Sequence, residues 1–103
     1  MKIIVDTDQV KIVEIDNFKQ FHIESAGDSQ SLAAQFAKFN VGTVQDAHHA
    51  AISIHFICTQ AGHLVQQTEW LTGFENMLAY AKNKGWLTED GHAVLAHIEW
   101  AAA

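Results

Sequence analysis

Seven histidines in a chain of 103 residues raise the question of acid–base or metal chemistry. His48-His49 follow Asp46, a spacing that lets the carboxylate steer one imidazole as a base or a ligand contact. On an extended chain neighbouring side chains face opposite ways, so only one of the two histidines can enter a pocket. The bland reading is one surface and one capping or core histidine. His97 and Glu99, and likewise His22 and Glu24, lie two apart and share a face if their segments are strands. Each couple could exchange a proton, and the plain alternative for each is a solvated sheet face. His55-x-x-Cys58 has the i, i+3 spacing of a helical ligand pair, but a lone thiol on an apolar stripe reads better as a small, inert hydrophobe. His63 and His92 fall in loops. The expectation is therefore no metal and no cofactor.

Nucleophile motifs are missing: there is no Gly-x-Ser-x-Gly and no glycine-rich phosphate loop. Aromatic residues offer a different chemistry. Trp70, Tyr80, Trp86 and Trp100 fall within 31 residues, and aromatics dominate small-molecule pockets. Together with His48 and His49 they are the candidate ligand-binding set, weighed against a role in the core.

Charge narrows the partners. Six lysines face twelve carboxylates, the net charge is -6, and there is no arginine. Nucleic-acid binding needs clustered cations and favours Arg for base contacts, so it is not expected. An acidic surface suits a basic protein partner. No apolar run approaches the roughly 18 residues of a membrane span, and the acid at Asp6 interrupts any leader-like start. One cysteine, Cys58, excludes an internal disulfide framework and suits a reducing, cytoplasmic setting.

The elements that must position these residues read as one α+β domain. Three strands are expected over residues 2–25: Ile3 to Val5, Val10 to Ile15, and Phe18 to Ser25. Asp16-Asn17 is read as a tight turn, which makes an antiparallel meander. Asp28 or Ser29 caps a helix to about Phe39. Residues 49–61 fit a strand by alternation and a helix by i, i+3, i+4 spacing; the framing residues Ser53 and Gly62 favour a short strand to about Ile52 and then a helix. Glu69–Lys84 is the clearest helix, with Thr68 as cap, an apolar stripe of Trp70, Phe74, Met77, Leu78 and Ala81, and Gly85 as its left-handed stop. Gly73, inside that helix, points to a close approach by another backbone or ring. Val94 to Trp100 alternates as a final strand, with a helix as the alternative. The expected fold is an antiparallel sheet of about four or five strands with about three helices on one face.

Over residues 46–100 the chain resembles a group of small bacterial proteins, through an ending made here of Trp70, Gly73-Phe74, Met77-Leu78-Ala79-Tyr80-Ala81, Gly85-Trp86 and Ala96-His97-Ile98-Glu99-Trp100. The likeness implies that residues 69–100 form one structural unit, and it implies no activity. The functional expectation is a small binding or interaction module, homodimeric and without catalysis, with a small apolar ligand or a basic protein as its partner. The alternatives are an acidic inhibitor of a basic partner, of the immunity or antitoxin kind, and a small enzyme based on histidine with an aromatic-lined pocket.

Overall fold

The computed structural model describes residues 1–6 and 8–100. The chain runs β1 (Lys2–Val5), β2 (Val10–Val13), β3 (His22–Ser25), α1 (Ser29–Phe39), β4 (Gly42–Val44) and β5 (His49–Ser53). It continues through α2 (Ile54–Ala61), a 3-10 turn over Gly62–Gln66, α3 (Thr68–Lys84) and β6 (Ala93–Trp100). The strands form one six-stranded sheet in the order β2-β1-β3-β6-β5-β4.

The α+β class holds, but the sheet is mixed and larger than the antiparallel four or five strands expected. β1 and β3 pair in parallel, and so do β3 and β6. The physical reason lies in residues 14–21. Asp16-Asn17 does not close a hairpin; Glu14 takes a left-handed conformation (φ 50°) and the chain passes over the end of β1, where the Met1 nitrogen donates to the carbonyls of Asn17 and Gln20. β3 therefore starts level with the start of β1 and runs alongside it in the same direction, pairing His22 with Lys2. The further strand is β4, beginning at Gly42, where a Cβ would lie 1.8 Å from the Ala51 carbonyl oxygen. Only glycine admits the approach of β5 there.

Period-2 alternation separates the two faces of the sheet. Ile3, Ile23 and Ile98 align across three strands, as do Ala50 with Ala96 and Ile52 with Val94, and all are buried. Leu32 and Phe36 of α1, Phe56 and Ile57 of α2, and Trp70 and Phe74 of α3 join them in one core. Helix caps follow local chemistry. Asp28 accepts from the Ser31 N–H at 2.8 Å, Ser53 accepts from the Phe56 N–H at 3.3 Å, and Gly85 ends α3 at φ 78°. Thr68 is the first residue of α3 rather than its cap; Gln67 stands at that position without a side-chain hydrogen bond.

Candidate functional site

Two features stand out along β6. The first is a groove of about 710 Å³ beside β6, within the range of about 300–1,000 Å³ common for small-molecule sites. After the α3 cap, Trp86 accepts a hydrogen bond from the Leu95 N–H at 2.7 Å, and Leu87 bridges Val94. That short pairing fixes the Trp86 indole against Tyr80, edge to face, with centroids 5.8 Å apart. Lys84 lies 5.5 Å from the Tyr80 ring centroid. Tyr80 and Trp86 keep 56% and 46% of their surface exposed, far more than a core pair would. Phe18, Phe21, Met77 and Leu95 complete the apolar wall.

The polar end of the groove carries Lys19, Gln45, Asp46, His49 and His97. Asp46 Oδ1 accepts from the backbone N–H groups of His48 (2.7 Å) and His49 (2.9 Å) and faces His49 Nδ1 at 3.2 Å. These contacts, the His48 N–H first among them, hold the Asp46 carboxyl below the usual Asp range. With Nδ1 turned to the carboxylate, His49 Nε2 is left for another partner. Its ring meets His97 at a centroid distance of 5.9 Å.

The expected pocket residues divide cleanly. His49, Tyr80 and Trp86 line the groove. Trp70 is buried at 4%, donates its indole N–H to the Ile15 carbonyl at 3.0 Å and stacks on Phe74, so it serves the core. Trp100 donates to the Ala47 carbonyl at 2.8 Å and packs against the core. His48 is exposed and outside the groove lining, while its carbonyl accepts from the Ile98 N–H.

The second feature arises from strand register. His22-Ile23-Glu24 on β3 and His97-Ile98-Glu99 on β6 are the same tripeptide, paired in parallel residue for residue. The isoleucines enter the core while both histidines and both glutamates rise from the opposite face. His49 on β5 pairs with His97, so three imidazoles stand in one cross-strand row. His22 Nε2 lies 2.9 Å from Glu24 Oε2 and 3.5 Å from Glu99 Oε2. Each couple was visible as an i, i+2 pair, but their convergence depends on two strands 75 positions apart meeting in register (97 minus 22). The repeated His-Ile-Glu is the signal that could have found it. His55 and Cys58 lie on α2, as the helical reading expected; the thiol is half-buried, and burial pushes its pKa up.

No protein-family model, curated protein or solved structure matches the chain.

Proposed function

We propose that the chain is a small binding module whose groove takes an aromatic or largely apolar small molecule with a carboxylate or similar acceptor at one end. The observation that carries this reading is the exposed Tyr80–Trp86 pair, fixed in place beside a polar end rich in donors. A flat ring can lie against those side chains and Leu95 and remove apolar surface from water. Lys19 and the His97 imidazole offer N–H donors to the acceptor, while the Asp46 carboxylate is already engaged by backbone N–H groups. No membrane-crossing helix is present among the described residues, and the acidic chain with its single thiol suits a cytoplasmic role.

An NMR titration with benzoate, cinnamate and 2-naphthoate tests the reading. Saturable shifts centred on the Trp86 indole N–H and the Leu95 amide, reduced about tenfold in affinity by Trp86→Ala, are expected. Shifts that never saturate, or that survive Trp86→Ala unchanged, would contradict it. The homodimer is part of the same proposal only if it leaves the groove open. Mass growth with concentration in light scattering, abolished by Trp86→Ala, would assign the groove to a second copy instead.

The Asp46–His49 contact favours one other reading, a histidine-based enzyme with His49 as its base. Both side chains are more than half exposed, where water and salt screen the pair, so binding is the stronger reading.

A further inference from the structure

We propose that the paired His-Ile-Glu strands form a site for a divalent transition cation of the zinc class, held by His22 Nε2, Glu24 Oε2 and Glu99 Oε2. Spacing within single segments led to the expectation of no metal; the pairing of β3 with β6 changes the donor set. All three ligand atoms lie within 4.8 Å of one another, with His22 2.9 Å from one carboxylate and 3.5 Å from the other. A tetrahedral ion with bonds of about 2.0–2.1 Å sets its ligand atoms roughly 3.3 Å apart. The two separations from His22 bracket that value and the two carboxylates lie within 4.8 Å of each other, so side-chain rotations would seat an ion.

Charge argues the same way. Two carboxylates aim at a single imidazole nitrogen, which carries at most one hydrogen to share between them. The lysine in register with His22, Lys2, pairs first with Glu14 at 3.1 Å and acts on Glu24 and Glu99 only as a weaker electrostatic neighbour. A divalent ion would supply the missing positive charge, balance both carboxylates and bind the neutral imidazole through its lone pair. His22 is only 18% exposed, Glu24 and Glu99 are 41% and 59% exposed, and the paired strands put all three on one face. One imidazole with two carboxylates suits zinc, cobalt or nickel better than calcium, which prefers six to eight oxygens. Water completes the coordination.

The site is independent of the proposed groove ligand, since Glu24, Glu99 and His22 do not line the groove. The test is calorimetric titration of untagged protein with zinc chloride, paralleled by the visible absorption of added cobalt. One equivalent per chain is expected, with the intense bands of low-coordinate cobalt. Loss of an outer partner of a metal site costs about 10–100-fold in affinity, and loss of a ligand should cost at least as much. His22→Gln and Glu99→Gln should therefore each weaken binding at least tenfold. The double change His55→Gln with Cys58→Ser should leave it unaltered. Far-UV circular dichroism establishes that each variant is folded, and Glu24→Gln stands in for any that is not. Absence of stoichiometric binding would overturn the proposal. So would binding that persists in His22→Gln and Glu99→Gln, or that falls only in His49→Gln.

Discussion

The ring of Phe18 fills the space a side chain at Gly73 would need: a Cβ at that position would lie 2.4 Å from Phe18 Cε2. Phe18 in turn packs on Trp70 at 5.8 Å and forms part of the groove wall. A glycine that weakens the middle of α3 thus lets the 14–21 crossing dock on the helix. Gly73→Ala would gain about 1 kcal/mol of helix propensity and lose about 1–3 kcal/mol to overpacking. Urea denaturation should show net destabilisation, relieved when Phe18→Leu is added. A more stable Gly73→Ala would mean the ring moves aside freely.

Phe74 is 2% exposed and stacks on Trp70 with centroids 5.0 Å apart. Phe74→Ala should cost about 3–5 kcal/mol, the range for deleting a buried ring. A cost below about 1 kcal/mol in denaturant titration, the size of one net hydrogen bond, would place the stripe outside the core.

Gly85 has φ 78° with nothing within 4 Å of where a Cβ would stand. Any loss in Gly85→Ala is therefore backbone strain alone, about 1–2 kcal/mol. Thermal melts should rank glycine above asparagine and asparagine above alanine, because Asn tolerates left-handed backbone. Alanine ranking first would show that α3 does not end at this residue.

Acid should loosen the fold through its capping carboxylates. The Ser31 N–H holds the Asp28 carboxyl below the usual Asp range, and the His48 N–H does the same for Asp46. Asp90 is held low first by the Thr88 hydroxyl at 2.7 Å. Each folded value lies below its unfolded one, near 3.9 for Asp. Their stabilisation is therefore complete above about pH 4 and is lost as pH falls through the folded values. Asp28→Asn keeps the cap acceptor but removes the titration, so its melting temperature should fall less steeply between pH 5 and pH 2 than that of the parent. Parallel curves would remove Asp28 from the account.

Helices were the legible part of the sequence because their ends are set by single residues. Asp28, Ser53 and Gly85 mark them with side-chain or backbone chemistry that acts over three or four positions. Strand partners were not legible, since pairing depends on the path of the connection and not on the strand's own residues. Residues 14–21 resemble a hairpin turn locally, yet packing of Phe18 on Trp70 carries them across β1. Gly42–Val44 is too short for alternation to show. The same limit applied to the site. Tyr80, Trp86 and His49 were visible as residue types, whereas Trp70 and Trp100 differ from them only in which way the fold turns them. The His22–Glu24 and His97–Glu99 couples acquire joint meaning only once β3 and β6 lie side by side.

The most direct measurement of the binding-module account is a crystal structure grown with 2-naphthoate. The account predicts the ring lying against Tyr80, Trp86 and Leu95, with its carboxylate within hydrogen-bond distance of Lys19 or His97. A groove filled by side chains of a second copy, or naphthoate bound anywhere else on the chain, would contradict it.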